Sequence, residues 1–102
     1  MNTQDAILAA KNFVRLVEKK YPVQGAYLFG SFAKSKNDEA SDIDICIVSP
    51  AFEKDHWEKE DELRRLSLDV DYRLSPVVFS PSDLEDKYNQ LADEIKKYGI
   101  RL

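Results

Sequence analysis

An α/β (α+β) fold, with a small mixed three-stranded sheet flanked by about four helices, is what the sequence predicts. Three observations carry that reading. Apolar residues recur three and four apart near both ends of the chain, the spacing of a helix with one buried face. Short apolar runs closed by Gly, Ser or Pro lie between them, the mark of strands. The two kinds of segment alternate as αβ(α)βαβα, which suits a sheet covered by helices. The 102 residues make a single domain, 1–102, near the small end of chains that fold on one core.

Residues 3–20 form the first expected helix. Ile7, Ala10, Val14, Val17 and Tyr21 give it one apolar face. Asn2 is placed to cap it, Asp5 favours its first turn, and Pro22 ends it. Ala26-Tyr27-Leu28-Phe29 is a short strand that runs into a turn at Gly30. The polar residues from Phe32 to Ser41 are expected to make a brief helical turn and then a loop. Ile43 to Val48 is the second strand, closed by Ser49-Pro50.

Residues 53–67 favour helix on propensity, with a narrow apolar face of Trp57, Leu63 and Leu66. The charged run from Glu53 to Glu62 is expected to face solvent, with Trp57 either an anchor on the core or a contact for a partner. Val70 to Phe79 is the third strand. Pro76 donates no ladder hydrogen bond, so this strand belongs at an edge or carries a bulge. The last helix starts at Ser80-Pro81 with Asp83 as a capping acid. Leu84, Tyr88, Leu91, Ile95 and Tyr98 form its expected buried stripe, and Gly99 its stop.

Composition narrows the function classes. With 43% hydrophobic and 33% charged residues the chain is not of disordered type. No apolar run approaches membrane-helix length and the start of the chain lacks a signal-peptide pattern. The lone Cys46 excludes an internal disulfide and fits a reducing cytoplasm. A net charge of −4 disfavours direct nucleic-acid binding, which needs clustered cations. It leaves room for a small metal-bridged phosphate ligand or a basic protein partner. The oligomeric state is left open.

The chemistry concentrates in GSFAKSKNDEASDIDICIV, residues 30–48. Side chains two apart on a strand share a face, so Asp42 and Asp44 project together while Ile43 and Ile45 pack behind them. Paired carboxylates repel and resist burial; a divalent cation such as Mg²⁺ offsets both, taking a few carboxylate oxygens, some waters and phosphate oxygens. Gly30 lets a ligand approach the backbone, and a helical turn starting there would aim free N–H groups at an anion. Ser31 adds a hydroxyl. Metal on the acids and phosphate on the Gly-Ser turn would hold a nucleoside triphosphate, with a hydroxyl positioned against its α-phosphorus. Either half alone reads more simply as an ordinary turn or strand face; the combination is the specific signal. Lys34 and Lys36, between the halves, are either phosphate contacts or solvated loop. His56 reads as a surface residue and Cys46 as a core one.

Phe29-Gly30-Ser31, ten residues, then Asp42-Ile43-Asp44-Ile45 resembles the signature of the DNA polymerase β-like nucleotidyltransferase superfamily, and the short single domain is similar to its minimal nucleotidyltransferases, the MNT proteins. The resemblance implies that Gly30 and Ser31 bind the triphosphate of ATP. It also implies that Asp42 and Asp44, the catalytic pair, bind Mg²⁺ or Mn²⁺, with a third carboxylate on the next strand. Here the chain departs: the matching position is Ser75, a weak Mg²⁺ ligand. Asp69 and Asp71 lie nearby and read as caps of the strand start, with Asp71 some 13 Å along an extended strand. The resemblance further implies transfer of AMP to a hydroxyl, such as a tyrosine of a helical HEPN-type toxin for which the chain would be the antitoxin. The competing expectation is a catalytically weak nucleotide-binding module that neutralises a partner by contact alone.

Overall fold

The structure, a computed structural model, describes residues 2–34 and 41–102. Among them, four α-helices and one 3-10 turn surround a four-stranded mixed sheet. Helix α1 spans Thr3–Glu18, and Asn2 caps it as expected, its side chain accepting the Asp5 N–H at 2.8 Å. Strand β1 (Gly25–Phe29) pairs antiparallel with β2 (Ile43–Val48). A 3-10 turn at Pro50–Glu53 leads to α2 (His56–Ser67). Strand β3 (Leu74–Phe79) returns parallel to β2, α3 (Pro81–Glu85) and α4 (Gln90–Tyr98) follow, and β4 (Ile100–Arg101) closes the far edge against β1. The strand order is β3-β2-β1-β4. No helix of the described residues is long and apolar enough to cross a membrane.

Alternation along the strands divides the sheet into two faces. Ile43, Ile45 and Ile47 of β2, with Leu28, Leu74 and Val78, join Ala6, Ala10, Phe13 and Val17 of α1 and Leu63 of α2 in the main core. The opposite face carries Phe29, Cys46, Val48 and Phe79, covered by Ala92 and Ile95 of α4. Each fully buried Phe or Ile in these layers contributes about 1.5–3 kcal/mol by leaving water. Asp44, two residues before Cys46, therefore belongs to the α4 face, as the expected parity requires.

Several expectations are corrected. The sheet has a fourth strand, because the chain turns back after Gly99 and Ile100 and Arg101 pair with Leu28 and Tyr27. The third strand begins at Leu74 and not at Val70, because residues 68–73 turn: Val70 and Asp71 both donate to the Ser67 carbonyl. The second helix begins at His56, since Ser49 caps the 3-10 turn that uses up residues 50–53. The last helix is broken at residues 86–89, where Asn89 accepts the Ala92 N–H at 3.0 Å and caps a new helix. The break turns Tyr88 out, leaving it 82% exposed, and Tyr98 is exposed as well. On α1 the buried stripe is rotated to Ala6, Ala10, Phe13 and Val17. Trp57 is no anchor; it is 72% exposed.

Two features seal β3 as an edge strand, where Pro76 is tolerated as expected. Glu60 of α2 is buried, against the expectation of a solvent-facing run, and accepts the Val78 N–H at 3.2 Å. Val78 N–H thus points away from β2, and Pro76, two residues earlier, lacks its N–H on that same outer side. The capping box of α3 is present as predicted: Ser80 Oγ accepts the Asp83 N–H at 3.2 Å, and Asp83 Oδ2 accepts the Ser80 N–H at 2.9 Å.

Candidate active site

Phe29 and Asp44 are cross-strand partners at the end of β1, so the turn after Phe29 must pass Asp44. Gly30 makes this passage with φ +73°, a left-handed conformation that residues with a Cβ rarely adopt. A Cβ there would overlap Asp44 Oδ2 and stand 3.1 Å from Cγ. The glycine is therefore required twice over, by its backbone angle and by the carboxylate against it. The Lys34 N–H then donates to the Gly30 carbonyl at 3.2 Å, closing one helical turn over residues 30–34. Such a turn starts with N–H groups that find no carbonyl within it, a favourable seat for an anion. Phe32, fully buried in the main core, pins the turn to the sheet.

Asp44 is half-buried, and its carboxyl is pushed up to about 6. Burial is the largest cause, followed by the negative charges of Asp42 and then Glu94. Asp42, just before β2, is exposed. Ser75 sits directly beside Asp44 in the parallel β2–β3 register, its neighbour Pro76 beside Ile45. The neutral residue thus occupies the strand position level with the half-buried acid. Asp71 is engaged elsewhere: it accepts from Arg73 Nε at 3.1 Å, Nη2 at 3.0 Å and the Arg73 N–H at 2.9 Å, and the guanidinium holds its carboxyl below the usual range. It caps the strand start, as expected.

Two residues that the sequence did not assign to the site belong to this end of the sheet. Glu94 of α4 accepts from Lys34 Nζ at 2.8 Å, and Tyr98 places its ring 5.2 Å from the same ammonium. The i, i+4 spacing of Glu94 and Tyr98 on α4 puts them on one face; nothing local announces that the face meets a residue sixty positions earlier. Lys36 lies outside the described residues. His56 stands 3.8 Å from Glu60 and T-stacks on Trp57, and Cys46 is buried with its thiol pushed up to about 12, chiefly by burial. Neither joins the site. An open cleft of about 650 Å³ beside Phe52, Trp57, Ser80 and Asp83 lies past the far end of β3, away from Asp44.

Among the described residues, no three His, Cys, Asp or Glu side chains gather closely enough to hold a metal by themselves. The donor set nevertheless fits Mg²⁺ or Mn²⁺, which take one or two carboxylates and complete their shell with water and phosphate oxygens. The fit rests on the Gly30 cradle, which brings bare backbone against a half-buried carboxylate that neighbouring acids oppose.

A sequence model of the nucleotidyltransferase domain family matches residues 10–101. In structure, the chain is similar to a candidate nucleotidyltransferase from Sulfolobus solfataricus, with TM-score 0.72 and 19% identity over 97% of this chain and 80% of that one. That likeness speaks for the fold. No curated protein sequence matches the chain.

Proposed function

This chain belongs to the nucleotidyltransferase domain family, and from that membership we propose that it transfers a nucleoside monophosphate, AMP from ATP, to a hydroxyl acceptor. The observation that carries the reading is the Gly30 turn pressed against Asp44, with room for no side chain between them. The acceptor oxygen forms a bond to the α-phosphorus as the bond to the β-phosphate oxygen breaks. Pyrophosphate leaves and the hydroxyl proton passes to water. Gly30 and Ser31 bind the triphosphate, backbone N–H groups and a hydroxyl meeting its oxygens. Lys34 adds one positive charge to that turn. Asp42 and Asp44 are the catalytic, metal-binding pair. A bound Mg²⁺ or Mn²⁺ supplies charge neutralisation and in-line alignment of the phosphates. With its carboxyl near 6, Asp44 is ionised at neutral pH and ready to hold the ion.

The proposed acceptor is a tyrosine of a helical HEPN-type toxin, which makes this chain a cytoplasmic antitoxin. The net charge of −4 supports docking on a basic partner. Purified chain, such a partner, labelled ATP and Mg²⁺ should yield label on the partner, and Asp42→Asn should abolish it. A stable complex without label, indifferent to Asp42→Asn, would overturn the enzymatic reading.

Ser75 beside Asp44 favours a second reading, a nucleotide-binding module that neutralises its partner by contact. Ser75→Asp separates the two. It would set a carboxylate level with Asp44, tighten Mn²⁺ binding by about tenfold, roughly 1.4 kcal/mol, and raise transfer. An enzyme already active gains a modest factor; a binding module gains activity from a negligible base.

A further inference from the structure

Lys34 and Glu94 join the polyphosphate turn to the last helix. Lys34 Nζ donates to Glu94 Oε1 at 2.8 Å, with the two side chains 34% and 33% exposed. The ammonium also lies 5.2 Å from the Tyr98 ring centre, where a cation is attracted. Through its own N–H, Lys34 closes the turn that Gly30 opens. Glu94 shares α4 with Ala92 and Ile95, which cover the sheet face that carries Asp44, and the turn itself presses on Asp44 at Gly30. One ammonium therefore stands between the turn proposed to seat phosphate and a carboxylate on the helix that covers the Asp44 face of the sheet.

Resting on the nucleotidyltransferase reading, we propose that Glu94 is a positioning residue that couples the two ligands of the site: it holds Lys34 until a polyphosphate takes the ammonium, and its freed carboxylate then adds negative charge toward the cation held by Asp42 and Asp44. A polyphosphate, with several negative charges, competes well against one carboxylate for Lys34. Losing Lys34 leaves Glu94 uncompensated on the Asp44 face of the sheet, and that is unfavourable until a divalent cation arrives. Phosphate without metal must therefore break an ion pair and expose repulsion, whereas phosphate with metal does neither at a loss. The result is positive coupling between the two ligands, over and above any bridge the metal itself makes. The charge that β3 lacks at Ser75 is supplied from α4, at longer range.

The test uses inorganic tripolyphosphate and Mn²⁺ as probes, each alone, titrated calorimetrically into the full chain. Glu94→Gln should bind metal-free tripolyphosphate about threefold more tightly and Mn²⁺ about threefold more weakly, the size expected of a partly exposed ion pair. Glu94→Asp should stay near wild type on both. In a Lys34→Met background, which itself weakens tripolyphosphate binding, adding Glu94→Gln should change that binding no further. Damage to the fold would weaken both probes together, so opposite shifts are the signature. Shifts of the same sign, or none, in a wild type that binds both probes overturn the coupling alone. A wild type that binds neither, singly or together, removes the nucleotidyltransferase reading along with it.

Discussion

Asp44 and Glu60 are both acids drawn out of water against the same sheet, and they differ in what answers their charge. Glu60, 5% exposed, receives Arg64 Nη2 at 3.0 Å and the Val78 N–H at 3.2 Å, with His56 at 3.8 Å. Every contact comes from the chain itself, and the carboxylate serves as a strap between α2 and β3. Asp44 faces the reverse. Burial and two other carboxylates oppose its charge, and its pKa climbs to about 6. An acid answered from within is structural; an acid opposed from within is kept for something that arrives from outside.

The widest separation between the two should come from amide substitution. Asp44→Asn is expected to cut transfer by about 100-fold or more, on the scale of losing one main electrostatic group, while leaving the metal-free protein as stable as before or more so. Glu60→Gln should do the opposite, lowering stability in urea by about 1–3 kcal/mol through lost charge-assisted hydrogen bonds while sparing activity of the folded fraction. Matching stability losses in the two variants would erase the distinction.

Protonation sharpens it further. The Asp44 carboxyl keeps its proton in the folded chain up to about pH 6, but loses it near 3.8 when unfolded. The folded state thus binds the extra proton between those values. The associated stabilisation is full below about 3.8 and is lost as pH rises through about 6. The stability of wild type minus that of Asp44→Asn should fall across this window. The rise in melting temperature caused by Mn²⁺ should run the other way, weakening below pH 6 as the proton competes with the metal. A pH-independent Mn²⁺ effect would detach the metal from Asp44.

The smallest effect belongs to Arg64→Ala. Its side chain is 57% exposed, so the variant should cost about 0.2–1 kcal/mol in a denaturant titration. A larger loss would show that Glu60 depends on its surface partner more than on the sheet.

The elements with local signals were legible from sequence. Asn2, Ser80-Pro81-Asp83 and Pro76 each announced a cap or an edge through their own chemistry, and the structure places them so. The adjacency of Gly30 and Asp44 followed from a strand ending in glycine and a strand opening on acids. What escaped the sequence was carried by contacts far apart in the chain. Glu60 reads as solvated because its only apolar context is a strand eighteen residues later. Glu94 reads as a surface acid because Lys34 is sixty residues away. The break at residues 86–89 hid behind Leu84, Tyr88 and Leu91, whose helical spacing continues across it, while the competing cap at Asn89 gave one polar residue as its only sign. The strand β4 is two residues long and has no pattern of its own.

The outer rim of β3 also bears on how copies of this chain treat one another. Along that rim the backbone donors alternate through Leu74, Pro76, Val78 and Ser80. Leu74 gives its hydrogen to the Asp71 carbonyl, Pro76 has none, Val78 gives to Glu60 and Ser80 to Asp83. A foreign strand sliding alongside would meet no available donor in register, so cross-molecular β-stacking, the first step toward insoluble fibrils, is discouraged on that flank.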